Sequence, residues 1–438
     1  MKLINQLTIA FLLLISTTVQ AQEKWDLQKC IDYALENNIQ VKQQQLNATY
    51  YENELKQAKY NRLPGVSSSF GGNYSFGRSQ LLDGTYENFD VNTVTGSVDL
   101  NMSLWNGFRL NRAVTQADFT LQARLQDLQK AKDDLMLNIA AAYLEILFSD
   151  ELVQVAKDQM DVTRSQVDRT GKLVKAGSLA KGSLLEIEAQ LANEELNLVE
   201  AENRQQLAYL NLYQMLELPA TESFVIEKPI LPVVAANSSL MNSMDVFKNA
   251  VQFRPEVKSA EFQLEASKTS VSIAKGSLYP SLYLGANLNS VFKDYNSGSL
   301  YDQFKNNIGK SVGLNLSIPI FNKLQSRTDI SNAKLDVMSK ELDVQDTKNA
   351  LRQEIEQAYT NAIASLKKYM ASSKAVESMQ EAFRYTEEKF NVGMVNTVEY
   401  NEAKNKLTKA QSDLAQSKYE YIFRTKILDF YNGIPIRL

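Results

Sequence analysis

The stretch Ser97–Ala117, SVDLNMSLWNGFRLNRAVTQA, decides the fold of this chain. Val98, Leu100, Met102 and Leu104 alternate with Asp99, Asn101 and Ser103, a period of two that gives a strand one apolar and one polar face. The pattern turns at Trp105-Asn106-Gly107 and enters a helix-forming run free of proline for about a hundred residues. The design recurs from Ser311, where Val312, Leu314, Leu316 and Ile318 alternate with Gly313, Asn315 and Ser317 before Ile320-Phe321-Asn322 leads into a second long helical run. A half-apolar strand feeding a very long helix, twice in one chain, is the feature to explain.

The recurrence is a tandem repeat. An offset of 216 carries Ala34 to Ala250, Val41 to Val257, Pro64 to Pro280, Asn106 to Asn322, Tyr143 to Tyr359 and Gly177 to Gly393. Beyond that glycine the matches Glu188–Glu402 and Ala189–Ala403 need 214, which predicts two extra residues in the first copy's turn, between Gly177 and Ser183. The unit is helix, strand, strand, long helix, turn, helix. The expected segments are a leader over 1–21, a first repeat over 22–218, an inter-repeat segment over 219–244 that wraps the outside, and a second repeat over 245–438.

Each copy opens with a short helix, Leu27–Glu36 or Val246–Gln252, and then a longer one, about Gln40–Asn61 in the first copy. That helix stops before Leu63-Pro64, and its echo before Tyr279-Pro280, because the residue preceding proline avoids the helical region. Strands are predicted over 66–76, 97–105, 281–291 and 311–320. At about 10 residues each they match a tilted membrane strand. Tyr74, Phe76, Trp105, Tyr279, Tyr283 and Phe321 fall toward strand ends, where an interfacial girdle belongs, and Val98, Leu100, Met102, Leu314 and Leu316 are the lipid-side positions. Between the strands, residues 77–95 and 293–309 read as polar loop tips.

The long helix, Leu110–Lys175, spans on the order of 95–100 Å at 1.5 Å per residue. The return helix, Ser183–Leu218, is about half as long, so two half-length helices stacked beside one full-length helix give a uniform rod. Met160, Thr163, Val167, Thr170 and Val174, with Val376, Met379, Phe383, Thr386 and Phe390, mark a coiled-coil seam.

Composition narrows the function. The chain has no histidine and one cysteine, Cys30, so it lacks the commonest general base, any internal disulfide and any thiolate metal site. No enzyme activity, cofactor or metal is expected. The net charge of −4, or −5 without Lys2, gives no sign of nucleic acid. Ile9–Ile15 and the Val19-Gln20-Ala21 site read as a secretory signal peptide, since the apolar run is well short of the ~20 residues a spanning helix needs. A membrane role then falls to the strands. Four strands cannot close a barrel, so other chains must complete it: two would give eight strands and three would give twelve.

The repeat, the junctions Leu104-Trp105-Asn106-Gly107 and Ile320-Phe321-Asn322, and the turns Ala176-Gly177-Ser178-Leu179 and Val392-Gly393-Met394-Val395-Asn396-Thr397 resemble the TolC-type outer-membrane efflux proteins. So do the continuations Glu186-Ile187-Glu188-Ala189-Gln190 and Glu399-Tyr400-Asn401-Glu402-Ala403. The resemblance covers essentially the whole mature chain, and the order and spacing of the motifs make it specific. It implies a mainly α protein with a membrane β-barrel: a homotrimeric α/β-barrel tunnel, four strands per chain, in outer-membrane lipid with helices crossing the periplasm. It implies an exit duct without catalysis or cofactor, docked through a periplasmic adaptor (membrane fusion) protein to an inner-membrane transporter. By position, the adaptor would meet Gly177, Ser178, Leu179 and Ser183, and Gly393, Met394, Val395 and Thr397. Glu399 and Glu402 occupy the place of the family's acidic gate, on one helix face. The position aligned with Glu399 in the first copy is Leu185. The alternative is a soluble periplasmic coiled-coil scaffold whose strands form an ordinary sheet.

Overall fold

The computed structural model describes residues 24–80, 84–88, 90–219, 225–229, 241–294 and 299–437. The expected leader and most of the inter-repeat segment lie outside the described residues. In chain order the elements are β1 (Lys24–Trp25), α1 (Leu27–Asn37), α2 (Ile39–Tyr60), β2 (Gly65–Ser75), β3 (Arg78–Gln80), β4 (Tyr86–Asn88), β5 (Val91–Trp105), α3 (Arg109–Lys175) and α4 (Lys181–Leu216). There follow β6 (Val225–Ile226), α5 (Ser243–Phe253), α6 (Pro255–Gly276), β7 (Ser281–Lys293), α7 (Leu300–Asn306), β8 (Gly309–Ser317), α8 (Gln325–Asn391) and α9 (Thr397–Tyr431). Both long helices run for 67 residues. The chain divides into two compact units: Met1–Gln43, Lys130–Arg254 and Ala350–Leu438 in one, Gln44–Gln129 and Pro255–Asn349 in the other.

The second of these units holds a four-stranded antiparallel sheet in the order β2-β5-β7-β8. Each copy contributes a pair of strands, and β5 and β7 join the two copies through the register Val98↔Leu288, Leu100↔Ala286 and Met102↔Leu284. Three details depart from the sequence expectation. β5 begins at Val91, inside what reads as a loop tip, and the rest of that tip contains the hairpin β3–β4. The other tip contains α7. β8 ends at Ser317, so Ile318, Ile320 and Phe321 follow the strand rather than complete it, and Phe76 lies just past β2.

Helices beside the sheet are tied by polar and aromatic contacts. Gln116 of α3 donates to Ser270 of α6 at 2.6 Å, Phe119 stacks on Phe262, and Ser259 donates to Asp127 at 2.6 Å. Arg124 of α3 lies over the Tyr51 ring of α2. The strand-to-helix junctions share one backbone device. Gly107 (φ 65°) and Phe108 (φ 62°) are left-handed, and so are Lys323 (φ 54°) and Leu324 (φ 64°) one repeat later. Two successive left-handed residues re-aim the chain from strand to helix at each site. At the first, a Cβ on Gly107 would stand 2.5 Å from the Gly276 carbonyl oxygen, so only glycine fits.

In the other unit, β1 and β6 pair in parallel, and the buried Tyr143 of α3 donates its hydroxyl to the carbonyls of Trp25 and Glu227 beside them. α1 and α5, 11 residues each, are capped by Asp26 and Asn242. Asn38 ends α1, accepts from the amides of Gln40 and Val41 to start α2, and donates to the Met215 carbonyl. Its repeat counterpart Arg254 is buried, pairs with Asp133 at 3.3 Å and lies over Phe430 and Tyr431. Ile139, Ile146, Leu212, Leu216, Val246, Leu351 and Ile355 are fully buried here. Each such side chain contributes about 1.5–3 kcal/mol relative to exposure.

Candidate functional site

The sheet has two chemically distinct faces. Alternation along the paired strands sets Val66, Phe70, Val98, Leu100, Met102, Leu284, Leu288, Val312, Leu314 and Leu316 on one of them. Many stand open: Phe70 is 79 % exposed, Val312 77 % and Leu314 66 %. Among the described residues α7 reaches over one end of this surface, where the Phe304 ring stands by Gly96 and the Phe304 carbonyl accepts from Ser290. The open stripe beyond it is the face the sequence assigns to lipid. Tyr74 shares it and meets Phe76 edge to face at 4.9 Å. Trp105 reaches it through a β-bulge. The register runs Ser103↔Tyr283 and then Trp105↔Leu282, so the ring lands on the apolar face instead of the polar one that plain alternation would give. Tyr283 is the exception among the expected girdle residues. It pairs with Ser103 and Asn315 and stands on the polar face.

The polar face carries Ser67, Ser69, Ser97, Asp99, Asn101, Asn287, Asn315 and their neighbours. A hydrogen-bonded chain crosses three strands. Ser69 Oγ lies 2.9 Å from Ser97 Oγ, Ser97 donates to Asp99 Oδ2 at 2.8 Å, and Asn287 Nδ2 donates to Asp99 Oδ1 at 2.7 Å. In the sequence Asp99 is only one polar residue in an alternating strand; its role as a hub depends on the cross-strand register.

The helical turns lie in the other unit. α3 and α8 both end in a left-handed glycine, Gly177 (φ 75°) and Gly393 (φ 77°). The amides of Gly177 and Ser178 bond the carbonyls of Val174 and Leu173, and those of Gly393 and Met394 bond Phe390 and Lys389. Both are Schellman caps. The expected difference in turn length is absent, since each turn holds five residues, 176–180 and 392–396. The difference lies in capping: Asn396 accepts from the Glu399 amide at 2.9 Å, whereas Ala180 offers no side-chain cap. Gly177, Ser178, Leu179, Gly393 and Met394 are exposed, Ser183 and Val395 are half-buried, and Thr397 is buried. Thr397 therefore belongs to the packing of α9 and not to an open docking face.

Glu399 and Glu402 project into solvent near the start of α9. They differ in partners. Glu402 accepts from Lys406 at 2.6 Å, which holds its carboxyl below the usual range. No cation faces Glu399 among the described residues. With equal turns, the first-copy match of Glu402 is Glu186, which lines the same groove between α4 and α9. Beneath them Tyr400 is buried against Phe383 and Phe390, and burial pushes its hydroxyl up to about 12.

One turn further along, Lys404 is 1 % exposed. Its Nζ donates to Glu194 Oε1 of α4 at 3.0 Å, to the Gln159 carbonyl of α3 at 2.9 Å and to Thr163 Oγ1. Thr163 donates to the other oxygen of Glu194. Burial pulls the Lys404 ammonium below its ordinary value, and the Glu194 carboxylate opposes that shift. The network went unread in the sequence. Its signal was a lysine at seam spacing between two apolar residues, Tyr400 and Leu407.

No helix among the described residues is long and apolar enough to cross a membrane. The Outer membrane efflux protein family model matches residues 30–217 and 246–426, both repeats. Outer membrane protein TolC of Escherichia coli is 24% identical over 364 residues, covering 78% of this chain and 71% of that one. Toxin and drug export protein A of Aggregatibacter actinomycetemcomitans is 22% identical over 333 residues, covering 75% and 70%. Among solved structures, CusC matches with a TM-score of 0.79 at 16% identity over 95% of this chain and 96% of that one. The outer membrane protein VceC of Vibrio cholerae gives 0.77 at 17% over 94% and 97%. The fold is that of the outer-membrane channels with a helical periplasmic tunnel, a class of transport ducts. The chain belongs to the outer membrane efflux protein family and resides in the outer membrane.

Proposed function

We propose that three copies of this chain close a twelve-stranded barrel and form the passive exit duct of a multi-component efflux or secretion system. The observation that carries this reading is the open sheet. Among the described residues β2 and β8 each pair on one edge only, and an unpaired edge in hydrocarbon costs several kcal/mol per unsatisfied group. In the order β2-β5-β7-β8 the last strand runs opposite to the first. β8 of one copy therefore meets β2 of the next in antiparallel fashion, and three copies close with twelve strands. Exposed apolar stripes on the helices support the same assembly: Leu196, Val199, Leu207 and Leu210 on α4, and Leu335, Met338 and Leu342 on α8. Their spacing suits helix seams between copies.

In this reading residues 1–21 are a leader, 22–218 and 245–438 are the two repeats, and 219–244 joins them. The adaptor docks at Gly177, Ser178, Leu179 and Ser183 and at Gly393, Met394 and Val395. An inner-membrane transporter supplies the energy, and the duct catalyses nothing. Glu399 and Glu402 from three copies ring the mouth and favour cations. Because Lys406 neutralises Glu402, Glu399 carries more of that preference. The test is the conductance of the purified protein in planar bilayers. A cation-preferring pore is expected, with Glu399→Gln lowering the preference more than Glu402→Gln. A protein that forms no pores contradicts the duct.

A further inference from the structure

We infer that Asp99 is a second cation-selective element, placed in the lumen of the barrel and independent of the acids at the helical turns. The inference rests on the duct reading above, which makes the polar face of the sheet the lumen. Asp99 is the only carboxylate that β2, β5, β7 and β8 place on that face, and the one other charge there, Lys293, stands at a strand end. Within the β5–β7 ladder Asp99 is central, six residues from Thr93 and six from Trp105.

Its surroundings fix both the charge and its direction. Each carboxylate oxygen accepts one neutral donor, Asn287 Nδ2 and Ser97 Oγ, and Ser69 stands behind Ser97. No cation pairs with it among the described residues. The relay holds a full negative charge in place without cancelling it. Three such charges inside a low-dielectric wall focus their field on the water between them. At a distance of about 8 Å in water one unit charge biases a monovalent ion by roughly twofold in local concentration. At physiological salt the Debye length is about 8 Å, whereas at 10 mM it is about 30 Å, so the effect is read at low salt.

A purely structural role is the competing account, since the same hydrogen bonds knit three strands. Asp99→Asn separates the two. It keeps the shape and the acceptor for Asn287 while removing the charge. The measurement is the reversal potential in planar bilayers across a gradient centred near 10 mM salt, in the Glu399→Gln/Glu402→Gln background, which removes the two proposed gate acids. The residual cation-to-anion permeability ratio is expected to fall about twofold on adding Asp99→Asn. An unchanged ratio overturns the inference. If the unsubstituted protein itself forms no pores, the duct reading fails first.

A second readout does not require the helical end to be open. Asn101→Cys places a thiol two residues along β5 on the same exposed face. Cys30 adds no background, being fully buried with its thiol pushed up to about 12. The ratio of modification rates by cationic and anionic methanethiosulfonates is expected to drop about twofold with Asp99→Asn. Equal ratios with and without the substitution contradict the inference.

Discussion

Lys404 shows what one residue does in a helical seam. Its ammonium is buried among Glu194, Thr163 and the Gln159 carbonyl, and it ties α9 to α3 and α4 at once. An apolar residue at that position would pack more simply. The cost of the polar choice appears when the set is broken. Lys404→Met leaves the Glu194 carboxylate buried without its counter-ion and is expected to cost about 3–5 kcal/mol. Adding Glu194→Gln removes the stranded charge and is expected to recover a large part of that loss. Denaturant titrations of the two singles and the double, in detergent, read the coupling directly. Singles that each cost under about 1 kcal/mol would mean the pair is solvated. The sequence hides this network because a lysine in a chain with 47 basic residues reads as surface until three helices are seen around it. Asp99 was hidden for a similar reason: its partner Asn287 lies 188 residues away.

At the scale of elements, the strand-to-helix junction is the decisive part, and it was legible. The change from period two to helical spacing, repeated at an offset of 216, located both junctions within a few residues. The strand ends were less legible. Val91–Gly96 reads VNTVTG, too polar and too rich in turn formers to announce a strand, and it is strand because β2 and β7 pair on either side. α7 was missed because seven residues carry too little periodicity. It continues the edge that β8 leaves: Gln303 exchanges hydrogen bonds with the backbone of Lys293, and Asn307 donates to the Val291 carbonyl. The junction backbones make a paired prediction. Gly107→Ala puts a methyl group against the Gly276 carbonyl at positive φ and is expected to cost about 1–3 kcal/mol. At the matching site Lys323 already pays for a left-handed backbone, so Lys323→Gly is expected to stabilise by up to about 1 kcal/mol. Thermal midpoints of the two variants test both signs.

For the whole molecule, alkaline pH is a global probe. Burial holds the Cys30 thiol and the hydroxyls of Tyr209 and Tyr400 protonated, each pushed up to about 12 from ordinary values of 9.0 and 10.0, and it raises Tyr143 and Tyr419 as well. The unfolded chain releases these protons first. Their contribution is therefore complete below pH 9 and is lost as pH rises toward about 12. Unfolding midpoints measured from pH 8 to 11 are expected to fall above pH 9 to 10. A flat profile would mean these groups are open to water. Assembly is the other whole-molecule property, and both the duct and its lumen depend on it. Among the described residues one chain leaves two strand edges unpaired and much of an apolar face open, and three chains cover the edges by closing a ring. The most direct test is the native mass of the protein extracted from outer membranes, with bound detergent subtracted. The account predicts the mass of three chains of the mature protein. A single chain, recovered in the soluble fraction, would contradict the barrel, the lumenal role of Asp99 and the duct together.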